Sequence, residues 1–456
     1  MNNYDGKIKI DYNNADGFNC YCDEIMTEYN QCIEEGLDVE QYKELFQSVA
    51  DMKGGEEKTR QSEKVFEAVI NASVREGFPY NEPNRLTEIR RLRKAYDFNS
   101  KAFDDEILRS KLTGAWTGRA IGCLLGKTVE GIRSDEFIPF LKETGNYPMH
   151  RYILSTDITK EIKEKYKFFF YNRAFADTVD GMPVDDDTNY VVLSQKIIED
   201  YGRGFDPEDV ASAWLKYQSV YSYFTAERVA YINFMNCIEP PSSAMYKNPY
   251  REWIGAQIRG DYFGYINPGE PEDAAEMAYN DACISHTKNG IYGEMLVSAM
   301  LACAAVTTDI DDIILGGLAQ IPATSRLYEA VMKIYNCYKN GVSIDECFSI
   351  IHSAYDEHTG HGWCHVIPNA MIVVAGLLYG EGDFGKSVCT AVGMAFDTDC
   401  NGATVGSILG MRGGIDCIND YWKNPINNKI HTSIFGVETV NIEKAVEKTI
   451  EHIKQN

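Results

Sequence analysis

Apolar positions recur along this chain at helical spacing almost throughout, and the alternation that marks strands is nearly absent. Ile25, Met26, Tyr29 and Ile33 share one face, Tyr42, Leu45, Phe46 and Val49 a second, and Val65, Phe66, Val69 and Ile70 a third. Gly54-Gly55 and the stretch from Pro79 to Pro83 punctuate between these segments. Residues 1 to about 20 carry no such period and read as loosely ordered. From Leu108 the pattern changes: Gly114, Gly118, Gly122 and Gly126 fall every four residues, which predicts a helix whose backbone touches a neighbour. A second small-residue ladder, Ala403, Gly406 or Ser407, and Gly410, predicts another helix open to close approach. Further helices are predicted from just after Asp187 to about Tyr201, across Ala211 to Ile238, and over Tyr292–Val306, Ile310–Leu315, Leu327–Tyr338 and Ile344–Ser353. A terminal one is predicted from about Ile442. Only one short extended segment, near Thr432 to Val437, interrupts them. The expected fold class is all-α: a compact multi-helix domain over residues 106–456, with a small helical N-terminal extension over 1–105 that bears no catalytic signature.

Composition narrows the function classes. The 456 residues hold 44 Lys and Arg against 68 Asp and Glu, a formal charge of -24, which argues against general affinity for nucleic acid or anionic membranes. The run Arg90-Arg91-Leu92-Arg93-Lys94 reads as a solvated helix face. Thirteen cysteines are irregularly spaced, and the Cys20/Cys22 pair has no second pair to complete a zinc pattern. The polar start Met1-Asn2-Asn3-Tyr4-Asp5 lacks a signal peptide, and no apolar run reaches bilayer length, so a cytoplasmic setting is expected.

The candidate chemistry is acidic. Asp397-Thr398-Asp399 opens the second small-residue helix, and Asp185-Asp186-Asp187 stands directly before another. One acid caps a helix and a second favours its dipole, but three in a row repel one another, a cost that a bound divalent cation removes. With Glu130, these loci offer six carboxylates, a set that suits two Mg²⁺ ions sharing ligands and water. Gly122 to Thr128 superficially suggests a phosphate-binding loop, but three residues rather than four separate its glycines and no strand precedes it. Glycines interleaved with aromatics and one Arg between Trp253 and Gly264 suit a phosphate- or base-holding surface, or a tight helix junction. His286 and His365 stand as either pocket contacts or satisfied core histidines.

Five motifs in order resemble those of the ADP-ribosylglycohydrolase family. Ala120-Ile121-Gly122-Cys123-Leu124-Leu125-Gly126, with Glu130 four residues on, is similar to its opening A-x-G-D-x-x-G…E. Asp186-Asp187-Thr188 is similar to its D-D-T, and Gly255-Ala256-Gln257-Ile258-Arg259 to its G-x-A-M-R. Ser285-His286 resembles its T-H pair, and Asp397-Thr398-Asp399 its D-T-D. The likeness runs from about Leu108 to the C-terminus. Three positions depart from it: Cys123 in place of Asp, Asp185 in place of a hydroxyl ligand, and Cys400 in place of a ligand Thr.

The resemblance implies a Mg²⁺-dependent hydrolase that cleaves an N- or O-glycosidic bond of an ADP-ribosyl group on a protein or small conjugate. Asp185, Asp186, Asp187, Asp397, Asp399 and the Cys400 position would hold two ions; a thiol suits a hard ion poorly, so the second site is looser, altered or absent. Glu130 is the first candidate acid/base and Asp187 the second. Gly255, Ala256, Arg259, His286 and His365 would meet the substrate. Two rival readings remain open: a hydrolase of another riboside or nucleotide, and a non-catalytic ligand-binding descendant.

Overall fold

A computed structural model describes residues 20–97 and 104–455; the stretch expected to be loosely ordered lies almost wholly outside them. Helices dominate, and the described residues contain a single two-stranded sheet. The organising pair is the helix Asp105–Lys127 against the helix Thr398–Gly413. The two run antiparallel with backbones in contact: a Cβ on Gly114, Gly118 or Gly122 would collide with the carbonyl of Gly410, Gly406 or Gly402 respectively. A Cβ on Gly126 would strike the backbone of Thr398 and Asp399. The two ladders read from the sequence are therefore each other's partners. Thr398 closes the contact, its hydroxyl donating to the Gly126 carbonyl at 2.9 Å.

Around this pair the helices Asn289–Ala304 and Val366–Tyr379 are buried along almost their whole length, as their lack of a polar face requires. Asp186–Tyr201, Arg326–Lys339, Ile344–Ala354 and Ile442–Lys454 confirm predicted helices. The Ala211–Ile238 stretch divides into Pro207–Tyr217 and Thr225–Met235. Asp206 caps the first of these through a capping box, and the intervening loop turns toward the site. The single extended segment proves to be a hairpin, Lys429–Ile434 antiparallel to Val437–Asn441, because Gly436 adopts φ 78° and reverses the chain.

The N-terminal helices build a small core of their own, with Ile25, Cys32, Phe46, Val49 and Val65 buried together. The basic run was expected to be solvated, and only its Arg91 and Lys94 are exposed. Arg90 pairs with Glu272 at 3.3 Å and Glu276 at 2.7 Å, and Arg93 with Glu272 at 3.3 Å, tying this segment to the helix Pro271–Ala282. Acids on a sequence-distant helix made the difference, and periodicity does not report them.

Gly122→Ala is expected to force the central helices apart and cost about 2–3 kcal/mol. Gly54→Ala, at an exposed site with open space around it, should stay within about 0.5 kcal/mol. Urea denaturation midpoints compare the two.

Candidate active site

The close helix contact delivers the C-terminal end of one helix, with Lys127 and then Glu130, to the N-terminal end of the other, with Asp397 and Asp399. Asp397 enters through a strained turn: Ala395 and Phe396 are successive non-glycine residues at φ 62° and 58°. Asn369 holds that turn, accepting from the Asp397 backbone N–H at 3.2 Å and from the Asn401 side chain at 2.8 Å. The helix Asp186–Tyr201 supplies the remaining acids. Asp185 caps it by accepting from the Asp187 N–H at 2.9 Å.

These segments meet at a cavity of about 400 Å³. Glu130, Asp185, Asp186, Asp397, Asp399, Cys400 and Gly255 line it, together with Lys127, Glu227, Trp253 and Trp363. A second cavity of about 650 Å³ adjoins it, sharing Lys127 and Glu130 and carrying Arg173 and Tyr171. Glu130 stands where the two meet.

Charge is unevenly balanced here. Burial pushes the Asp185 carboxyl up, but Lys127, 2.5 Å away, more than offsets it and holds the group below its usual range. Asp187 faces Arg119, whose Nε donates to its carbonyl at 2.8 Å and Nη2 to its carboxylate at 3.2 Å. Burial and then Asp185 nonetheless raise Asp187 well above the ordinary range. Asp186 is raised by burial, then by Asp185 and Glu130; Asp399 by burial, then by Glu130 and Asp397. Burial and Glu130 push Asp397 up to about 7. Glu130 is raised by burial, with Asp185 adding to it against Lys127.

The donor set fits a cation. Ligand atoms of Asp187, Asp399 and Cys400 lie within 4.8 Å of one another, as do those of Cys123, Asp185 and Asp187. One carboxylate oxygen of Asp187 and one of Asp399 are buried with no hydrogen-bond partner. Mutual repulsion among packed carboxylates is relieved by a bound divalent ion, and oxygen-rich surroundings favour a hard one.

The expected substrate contacts divide. Gly255 lines the cavity, and a Cβ there would displace the Glu227 carboxylate. Ala256, Arg259, His286 and His365 are buried and lie off the lining. Arg259 is held by Asp281 at 2.5 Å, Glu227 at 2.9 Å and Glu294 at 3.6 Å, so its guanidinium braces the wall from behind. His286 meets the Ser285 hydroxyl at 2.8 Å, and burial and then Arg259 hold its pKa well below the ordinary value. The sequence singles out none of Lys127, Arg119, Glu227 and Trp363, whereas Trp253 opens the aromatic- and glycine-rich stretch that suits a phosphate- or base-holding surface. Lys127 had a signal, as the cation ending the glycine ladder three residues before Glu130; Glu227 had none.

The ADP-ribosylglycohydrolase family matches residues 104–454. The chain belongs to that family. Among curated proteins no sequence matches it. A solved structure described as an ADP-ribosylglycohydrolase-related protein complex is similar at 15% identity and a TM-score of 0.45, over 76% of this chain and 98% of that one. Membership makes the chain a glycosidase-type hydrolase for ADP-ribosyl-type substrates. No helix among the described residues is long and apolar enough to cross a membrane.

Because Asp397 titrates near 7 in the fold and about 3.9 when unfolded, the folded chain holds a proton here that the unfolded chain releases. Its contribution is therefore present at low pH and lost as pH rises from about 4 through 7. Thermal melts in chelator should show wild type losing stability relative to Asp397→Asn across that window. A divalent cation should recover more of it in the wild type than in the variant.

Proposed function

We propose that this family member is a Mg²⁺-dependent hydrolase that releases ADP-ribose from an N- or O-glycosidic linkage on a protein or small conjugate. One observation carries the reading: acids from three separate chain segments, Glu130, Asp185–Asp186 and Asp397–Asp399, converge on one cavity with aromatic walls. Asp186, Asp187, Asp397 and Asp399 would hold the metal, with Asp185 at the edge of the set because Lys127 already claims it. When bound, Mg²⁺ supplies Lewis-acid polarisation and lowers the pKa of a coordinated water.

The protein's own groups account for the rest. Glu130 is half-buried, stands between the two cavities and has its pKa raised above the usual carboxylate value by burial, which suits it to exchange a proton with water or leaving group. Asp187 is the second candidate, but its contact with Arg119 suits it better to orientation than to proton transfer. Carboxylates around the anomeric carbon stabilise the positive charge that develops on the ribose ring. The first cavity suits the ADP-ribosyl group and the second, beyond Glu130, its acceptor. Cys400 is held as a neutral thiol by burial and by Asp187, Asp397 and Asp399, so a second ion would be bound more weakly than the first. All thirteen cysteines are free, which suits a reducing compartment such as the cytoplasm.

Calorimetric titration of ADP-ribose is expected to show binding with Mg²⁺ and none without it; equal binding in both states would remove the sugar from the carboxylate cluster. On ADP-ribosylated proteins and small conjugates, Glu130→Gln should lower kcat by about 10²- to 10⁴-fold. Asp397→Ala should abolish metal-dependent turnover, and full activity in that variant would sink the proposal.

A further inference from the structure

The N-terminal extension lies outside the family match, yet one of its helices contacts the strip that leads into a wall of the active-site cavity. The strip is Tyr250-Arg251-Glu252-Trp253, continuing into Ile254 and Gly255. It pairs with Cys364 to Val366: Trp253 bridges His365, Ile254 N–H donates to the Cys364 carbonyl at 2.8 Å, and Val366 N–H donates to the Glu252 carbonyl at 3.0 Å. Trp253, Ile254 and Gly255 from one side, and Trp363 and Cys364 from the other, line the cavity.

The helix Ile25–Glu34 approaches this strip from behind. Glu24, Glu28, Gln31 and Glu35 recur at helical spacing, and with Glu34 they face the strip in order. Glu24 meets the Tyr250 hydroxyl. Glu28 pairs with Arg251 at 2.7 Å, and Glu35 accepts from the same guanidinium at 2.6 Å. Gln31 donates to the Glu252 carboxylate at 2.6 Å. Glu28, Gln31, Glu35, Arg251 and Glu252 are all buried, so none of these contacts is a solvent-screened surface pair.

Glu34 completes the series through two histidines. Its carboxylate oxygens stand 3.1 Å from Nε2 of His361 and 3.2 Å from Nε2 of His365. A carboxylate with two imidazoles has the composition of a metal site, but the other ring nitrogens decide against one. Nδ1 of His361 accepts the Trp253 indole N–H at 3.2 Å, and Nδ1 of His365 accepts the Ile367 N–H at 3.2 Å. Each neutral ring therefore carries its proton on Nε2, facing Glu34, and offers no lone pair there to a cation. The chain of contacts runs Glu34, His361, Trp253, cavity.

We propose that the extension is a positioning element of the active site: through Glu34 and Gln31 it sets the Trp253 wall and thereby substrate affinity. The affinity part of this inference rests on the ADP-ribosyl reading of the cavity; the placement of Trp253 does not. The acids and metal ligands lie on other segments, so misplacing the wall weakens binding of ground and transition state alike and leaves the chemical step largely intact.

The test uses the full chain labelled with 5-fluorotryptophan and read by fluorine NMR without ligand, Trp253 being assigned through Trp253→Phe. Glu34→Gln, equal in size but presenting an amide donor to one imidazole N–H, is expected to shift or broaden the Trp253 resonance while the core residues Trp116 and Trp214 stay in place. Gln31→Met asks the same question through Glu252. Glu63→Gln, which breaks a different contact between extension and catalytic domain (Glu63 to Lys247, 2.5 Å), should leave Trp253 unmoved. With Mg²⁺ present, Glu34→Gln should raise KM for the ADP-ribosyl substrate about tenfold with kcat within about twofold. A Trp253 resonance unchanged in both Glu34→Gln and Gln31→Met, or moved equally by Glu63→Gln, overturns the inference. A wild type that neither binds nor cleaves ADP-ribosyl compounds overturns the proposed function instead and leaves the resonance test standing.

Discussion

The structure depends on one steric constraint, the backbone-to-backbone contact between Asp105–Lys127 and Thr398–Gly413. Four glycines on one helix face the carbonyls of three glycines and the Thr398–Asp399 peptide on the other, at separations that leave no room for a Cβ. Helices more than 270 residues apart in sequence are thereby fixed in register to within one residue. That register decides which groups stand at the end of the contact: Lys127 and Glu130 from one helix, Asp397 and Asp399 from the other. Leu, Ile or Val at these positions would also pack, but with the helix axes further apart and the acids no longer sharing one cavity.

Electrostatics at that junction follow a division of labour. Arg119 emerges from the glycine ladder to hold Asp187, Lys127 holds Asp185, and Arg259 braces Glu227 from behind the wall. Asp186, Asp397 and Asp399 are raised by burial and by Glu130, which is itself raised by burial. Where the family places a neutral hydroxyl before its D-D-T, this chain places an acid whose charge is cancelled by Lys127. Cys400 has no such compensation.

The extension alters how the catalytic domain is understood. The contacts of its helix Ile25–Glu34 are largely buried and polar, and they converge on the strip that carries Trp253. Such contacts are costly to leave half-made, so they specify one arrangement of the strip more strongly than an apolar seam of equal area would.

Much of this was legible in one dimension. Helical period marked most elements, glycine spacing marked the two central helices, and grouped acids at helix starts marked two of the three acidic loci that form the site. These signals are local: they follow from the backbone geometry of one helix and from repulsion among neighbouring charges. What the chain order could not convey was pairing. That Arg90 meets Glu272 rather than solvent, that Arg259 and His286 stand behind the wall rather than in the cavity, and that Trp253 rests on a histidine held by Glu34 each depend on residues distant in sequence. The sequence by itself determined the helices, the ladder and the acids. Only the tertiary structure decided which acids are neutralised and which aromatic faces the cavity, because partners for buried charges and rings are chosen by packing across the chain and not by spacing along it.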